Sequence, residues 1–321
     1  ITGSLITISS TNWMTMWMGL EINLLSIIPL MSKTKNKMES EAAMKYFITQ
    51  AMASTVFMFS IILLTYKTNP NIYPIQSMMM DAAMLTKMGA APFHFWFPEV
   101  MEGLTLMNSL IMLTWQKIAP MIVFMTLPKS MTLMTFSIIS SMLISGIMGL
   151  NQTSLRKILA YSSINHIGWM MGTMISNQTT WLIYTCIYIL TTVNMMAVLN
   201  ISKTLNMTQL INTMNKNKTM KILFSMNFLS LGGIPPFIGF YPKWITIMSM
   251  VQMKFYLLTL TMITSTIITL FFYMRITFSS LTMSTSETTK IDLKTNKSTI
   301  MALNLMTLAS MILCPTVLTF L

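Results

Sequence analysis

Gly232 to Trp244 reads GGIPPFIGFYPKW, three glycines, three prolines and one lysine inside a run of Met, Leu, Ile and Phe. Proline removes a backbone donor and its ring clashes with the preceding turn, while glycine admits conformations closed to other residues. A helix through this stretch is therefore expected to be broken, an ordinary proline kink being the alternative. A second stretch, Gly89-Ala-Ala-Pro-Phe-His-Phe-Trp-Phe-Pro-Glu99, aligns with Gly233 to Lys243 without gaps. Gly89 matches Gly233, Pro92 matches Pro236, Phe93 matches Phe237 and Pro98 matches Pro242. Two further positions are aromatic in both copies, Trp96 with Phe240 and Phe97 with Tyr241.

The surroundings of both stretches are membrane-like. The 321 residues have a mean hydropathy of +0.64 and only 9% charged residues, against about 25% in soluble domains. Tyr256 to Tyr273 carries no charge, and uncharged apolar runs of about 18 or more residues read as membrane helices. The fold class is all-α and polytopic. The 40 methionines, with only two arginines (Arg156 and Arg275), exceed what packing demands. An AT-rich organelle genome that reads an extra isoleucine codon as methionine explains them, which points to mitochondrial coding. Cys186 and Cys314 lie in apolar segments and form no CxxC or iron–sulfur ligand set.

Eleven hydrophobic segments are expected, at about 1–10, 13–31, 42–66, 76–98, 104–127, 131–149, 157–175, 179–201, 220–251, 255–278 and 299–320. The first is too short to cross a core of about 30 Å, so its helix is expected to be truncated at the N-terminus. If the segments alternate, fourteen loop cations fall on one side: Lys33, Lys35, Lys37, Lys45, Arg156, Lys157, Lys203, Lys216, Lys218, Lys221, Arg275, Lys290, Lys294 and Lys297. Lys67, Lys129 and Lys254 fall on the other. The positive-inside rule then places the N-terminus in the matrix and the C-terminus in the intermembrane space. The net charge of +12 is loop bias of this kind and implies no nucleic acid partner.

The two Gly/Pro stretches lie five segments apart, so the copies face opposite ways. That is the pattern of an inverted-topology repeat, in which a broken helix in each half marks the ion or substrate path. Four charged residues are left inside the segments: Glu21, Lys87, Lys117 and Lys243. A charge at the bilayer centre costs about 2.5–3.5 kcal/mol on insertion scales, so each needs a reason. Lysine is tunable by burial and can load and release a proton; charge balance or snorkelling to the interface is the structural alternative. His166, with Ser162, Ser163 and Asn165 close by, is either a proton relay or a satisfied core histidine, and His94 sits inside the first break. Asp81 is expected near a solvated segment end, and Glu99 and Glu102 as loop carboxylates. No GxGxxG opens a helix after a strand, so nothing predicts nicotinamide or flavin binding by that route.

MGLEINLLSIIPL, KYFITQAMAST, KMGAAPFHFWFPEVMEGL, LTWQKIAP, GLNQTSLRKILAYSSINHIGWMM and NFLSLGGIPPFIGFYPKW resemble the antiporter-like subunits of NADH:ubiquinone oxidoreductase, respiratory complex I, and among them the subunit 2 branch. The likeness runs from about Gly19 to Lys243. It implies a single antiporter-like transmembrane domain over 1–321 with eleven helices, two of them discontinuous. It implies inverted five-helix repeats near 1–127 and 131–278 and a C-terminal helix at 299–320. It further implies a subunit of a proton-translocating enzyme in the mitochondrial inner membrane. Glu21, Lys87, Lys117 and Lys243 match a buried polar axis lined by His94 and His166. Opening and closing of the Glu21–Lys87 pair would act as its switch. The chain itself would bind no cofactor or metal; NADH, FMN, iron–sulfur clusters and ubiquinone would belong to the complex as a whole. Implied partners are the antiporter-like subunit 4, subunits 4L and 6, accessory subunits and phospholipids such as cardiolipin. A free-standing cation/proton antiporter and a non-pumping membrane scaffold are the competing readings.

Overall fold

The computed structural model describes residues 1–32, 36–65, 73–214, 218–235 and 237–282. The expected segment 299–320 and Cys314 lie outside the described residues. Among the described residues the regular elements are all helices, and an isolated antiparallel bridge joins Ser154 to Asn206. α1 (Thr2–Ser9), α2 (Trp13–Met31) and α3 (Lys37–Thr65) fall on the first three expected segments. The fourth is split into α4 (Tyr73–Met88) and α5 (Trp96–Gly103), and the fifth into α6 (Leu106–Leu113) and α7 (Trp115–Thr126). α8 (Met131–Leu150), α9 (Leu155–Ser176) and α10 (Gln178–Ser202) follow. A short α11 (Met207–Met214) lies in what reads as a connection, fixed at its start by Gln209 Oε1, which accepts from the Leu205 and Asn206 amides. The ninth segment is α12 (Lys218–Gly232) plus α13 (Phe240–Gln252), and α14 (Tyr256–Thr282) is the tenth.

Among the described residues, six stretches are long and apolar enough to cross a membrane: Trp13–Met31, Lys37–Thr65, Leu106–Thr126, Met131–Leu150, Gln178–Ser202 and Tyr256–Thr282. The others miss that description for visible reasons. α4 with α5, and α12 with α13, are too short on either side of their breaks. α9 has the length but carries Arg156, Lys157, Ser162, Ser163, Asn165 and His166. Serine and threonine inside the long helices donate back to carbonyls three or four residues earlier, as Ser137, Ser141 and Ser145 do on α8. No hydroxyl of these three is then left unsatisfied in an apolar surrounding.

The chain packs as two compact units, one from Ile1 to Ser141 and one from Met142 onward. In the first, α3 packs along α4, α5 and α2, while α7 packs on α4, α2 and α1. α1 meets α2 at very close range: a Cβ on Gly3 would lie 2.8 Å from the Asn23 nitrogen, and one on Gly19 would lie 2.6 Å from Thr7 Cγ2. Small residues let membrane helices approach this closely. In the second unit α9 lies against α10, α13 and α14, and every residue from Ile158 to Met174 is buried. Such a helix is a core element rather than a lipid-facing one, which accounts for its polar content.

The two breaks share three backbone hydrogen bonds at matched positions. α4 ends with Gly89 at φ 75° and α12 with Gly233 at φ 76°, a conformation that favours glycine. The Ala90 amide donates to Leu85 O at 3.0 Å and the Gly89 amide to Thr86 O at 3.2 Å. In the second unit Ile234 donates to Leu229 O at 3.4 Å and Gly233 to Ser230 O at 3.1 Å. This is the Schellman pattern of a helix C-terminus. The chain turns back into helix the same way too, Phe97 donating to His94 O at 3.0 Å and Tyr241 to Ile238 O at 3.2 Å.

Candidate functional site

Lys87 occupies the last turn of α4, where the helix dipole favours a cation. Its side chain is 7% exposed, and its ammonium makes no hydrogen bond among the described residues. Glu21, half-buried on α2, acts on it electrostatically. The two do not form a direct ion pair, and Glu21 Oε1 is buried without a hydrogen-bond partner. Beside Lys87 lies a cavity of about 20 Å³, room for one water molecule. Three helices each present residues one turn apart to it: Leu20 and Leu24 with Asn23 from α2, Tyr46 and Gln50 from α3, Gln116 and Pro120 from α7. Asn23 and Gln116 exchange amide hydrogen bonds at 2.8 and 3.2 Å, tying α2 to α7. Gln50 donates to the Lys87 carbonyl at 3.5 Å, one of the groups released by the break.

Lys117 lies in the first turn of α7, just after the helix is interrupted at Thr114 (φ −110°, ψ −75°). Pro120 follows one turn later and cannot donate to the Gln116 carbonyl. Lys117 is buried, with its ammonium 5.1 Å from the centroid of the Phe97 ring, within cation–π range. Phe97 is the same residue that packs on Gly89, whose Cβ would lie 3.2 Å from Phe97 Cβ. The first break and the second lysine are thus joined through one aromatic ring.

His94 lies inside this break, buried, with Nδ1 3.3 Å from the Pro92 carbonyl and its ring against Phe95. Trp96 closes the end of α4 by donating its indole N–H to Thr86 O at 3.1 Å. Glu99 and Glu102 lie on α5 rather than in the expected loop, because the helix resumes at Trp96; Glu99 is exposed and pairs with Lys45.

Asp81 corrects one expectation. It is fully buried rather than solvated, because Ser130, ahead of α8, gives it two donors. The Ser130 amide lies 2.8 Å and the Ser130 hydroxyl 2.5 Å from Oδ2, while Oδ1 is buried without a partner. Burial pushes the neighbouring Lys129 ammonium down from its usual range, and the Asp81 carboxylate opposes that shift.

In the second unit Lys243, in the first turns of α13, folds back across the break and donates to Gly232 O at 2.8 Å. It takes the space a side chain would need at Gly233, where a Cβ would lie 2.9 Å from both Lys243 Cδ and Nζ. Gly239 serves space alone: its φ is −65°, and a Cβ there would lie 1.8 Å from Ser230 O. His166 is buried on α9 with Nδ1 2.9 Å from the Tyr184 hydroxyl and its ring 5.0 Å from that of Tyr188. Asn165, its neighbour, donates to Thr269 Oγ1 on α14 at 3.3 Å.

The structure therefore sets Glu21 within electrostatic reach of Lys87, places Lys117 against the Phe97 ring and His94 inside the first break, and places Lys243 and His166 in the second unit. Gln116, next to Lys117, reads from the sequence as a group able to hydrogen-bond water, whereas Gln50, Asn23, Tyr184 and Tyr188 were not among the residues the sequence singled out. Their signal was present as polar or amphipathic side chains four apart in apolar helices, Tyr46 with Gln50 and Tyr184 with Tyr188.

A family model described as NADH:quinone oxidoreductase/Mrp antiporter, transmembrane, matches residues 10–269. The chain belongs to this antiporter family. Within the family it is 45% identical to NADH-ubiquinone oxidoreductase chain 2 of Anopheles gambiae over 284 residues, 87% of this chain and 83% of that one. It is 42% identical to the protein of the same name from Mammuthus primigenius over 324 residues, 98% of this chain and 93% of that one. Among solved structures, a chain of respiratory complex I from Thermus thermophilus superposes with a TM-score of 0.88 at 22% identity, covering 99% of this chain and 77% of that one. A chain of the Mrp complex from Dietzia gives 0.81 at 14% identity, covering 98% and 74%. The antiporter-like fold is common to all of them.

Proposed function

We propose that the chain is a core membrane-arm subunit of respiratory complex I, coupling NADH:ubiquinone electron transfer to proton translocation. The observation that carries this is the sequence likeness to chain 2 relatives over nearly the whole length. The site supplies a mechanism for it: lysines buried beside helix breaks, where freed backbone and side-chain amides can support water.

In this reading the chain is a single transmembrane domain of eleven helices, with inverted repeats near 1–127 and 131–278 and discontinuous fourth and ninth helices. The matched backbone hydrogen bonds at Gly89 and Gly233 favour it. Lys87, Lys117 and Lys243 load and release protons, and His166 and His94 relay them. Glu21 lies close enough to act on Lys87 without pairing to it, so a small approach or retreat would change the lysine's hold on its proton. Moving one charge against 100 mV costs about 2.3 kcal/mol, within reach of such a change in pairing. NADH, FMN, iron–sulfur clusters and ubiquinone are assigned to the rest of the complex. The setting is the mitochondrial inner membrane, N-terminus in the matrix and C-terminus in the intermembrane space. The neighbours are subunits 4, 4L and 6, accessory subunits and phospholipids such as cardiolipin.

The test is Lys117→Ala in the assembled complex, reconstituted in proteoliposomes. Coupled NADH:quinone turnover is expected to fall while the amount of complex stays constant. Wild-type coupled turnover would favour a non-pumping scaffold, and sodium/proton exchange by the isolated chain would favour a free-standing antiporter.

A further inference from the structure

His166 meets Tyr184 through Nδ1 at 2.9 Å, and both side chains are buried, Tyr184 at 1% exposure. The roles in this contact follow from counting protons. A phenol carries one proton, and a buried O–H without an acceptor is costly. His166 Nδ1 is the acceptor the described residues offer to the Tyr184 hydroxyl. The hydroxyl therefore donates to Nδ1, and the proton of the neutral imidazole sits on Nε2. The reverse arrangement, Nδ1–H donating to the phenol oxygen, would strand the phenolic proton inside the unit. The ring planes meet at 60°, with centroids 6.0 Å apart, so the contact runs edge to face through the hydroxyl rather than by stacking.

We infer that Tyr184 is a positioning residue for His166, whose hydroxyl fixes the tautomer and orientation of the imidazole. The inference rests on the reading of His166 as a proton-handling residue. Its consequence is mechanical. Protonation of His166 must occur at Nδ1, the nitrogen the phenol covers. The hydroxyl then has to rotate so that its oxygen accepts from the new Nδ1–H. One hydroxyl rotation on α10 is thereby coupled to each change in the charge of α9.

The experiment is a double-mutant cycle in the assembled complex in proteoliposomes, using Tyr184→Phe, His166→Gln and the pair. Phenylalanine keeps the ring and removes only the hydroxyl, and the quantity of assembled complex is measured for each variant. Tyr184→Phe is expected to lower coupled turnover about fivefold, the worth of one ordinary hydrogen bond. In the His166→Gln background it should have no further effect. Wild-type turnover in Tyr184→Phe, with His166→Gln impaired, overturns the inference alone. So does a full Tyr184→Phe effect added on top of His166→Gln, since it would mean the phenol acts through something else. Wild-type turnover in His166→Gln overturns the proton-handling role of His166 and the inference with it. If Tyr184→Phe itself fails to assemble, the hydroxyl is a folding element, and the positioning role is rejected.

Discussion

Lys243 donates its ammonium to the Gly232 carbonyl, 2.8 Å away and across a helix break. The lysine belongs to the helix that starts after the break, and the carbonyl to the helix that ends before it. Partial negative charge at a helix C-terminus favours the cation, so the second break carries its own counter-dipole. No acidic residue occurs in the sequence between Glu102 and Glu287. The first break is built differently. Its freed carbonyls go to Trp96 and Gln50, and Lys87 is left facing Glu21 and a water-sized cavity.

Gly233→Ala should therefore be severe for two reasons. Its φ of 76° costs an L-residue about 1–2 kcal/mol, and the new Cβ would lie 2.9 Å from Lys243 Nζ. The lysine must leave its carbonyl or the break must deform. Thermal unfolding in detergent should show a lowered Tm, and the assembled complex should lose coupled turnover. Gly89→Ala carries the same backbone strain, but its Cβ meets side chains at 3.2 Å and beyond, so its Tm should fall less.

Asn23→Leu removes one half of a reciprocal amide pair. Gln116, half-buried, would be left with amide groups unmet, at a cost of up to about 1–3 kcal/mol, and the leucine would fill the cavity beside Lys87. The expected result is a lower Tm together with slower coupled turnover. Asn23→Gln keeps the amide but lengthens its arm into the same cavity, so it should cost less stability while still slowing turnover.

Asp81 separates holding from charge. Asp81→Asn keeps an oxygen that can accept from the Ser130 amide and hydroxyl. Asp81→Ala leaves both donors without it, again at about 1–3 kcal/mol. Comparison of Tm values should rank wild type and Asp81→Asn well above Asp81→Ala. Equal losses for the two variants would mean that the charge, acting with Lys129, matters more than the two hydrogen bonds.

Much of this arrangement was legible in the sequence because it rests on residues that are costly where they stand. Gly89, Gly233 and the prolines beside them interrupt apolar runs, and interruption fixes where the helices end. Lys87, Lys117, Lys243 and Glu21 were conspicuous because charge is expensive in an apolar segment. Asp81 was misread because its cost is met by Ser130, forty-nine positions along the chain, which no local pattern reveals. Gln50 and Asn23 are neutral, and neutral amides in a membrane segment raise no alarm until their partners are known. The interruption at Thr114 has the same character: Pro120 announces a disturbed helix but not the residue at which the backbone yields. α11 escaped because eight residues with one buried leucine are too short to register as a hydrophobic segment.

The central claim is that the buried lysines move protons, and the proton-to-electron stoichiometry of the Lys117→Ala/Lys243→Ala double variant tests it most directly. The variant would be assembled into the complex and measured in sealed proteoliposomes against wild type. The account predicts normal amounts of assembled complex with a lowered number of protons translocated per NADH, or turnover that stalls as the gradient builds. Wild-type stoichiometry at wild-type turnover in a fully assembled double variant would contradict it.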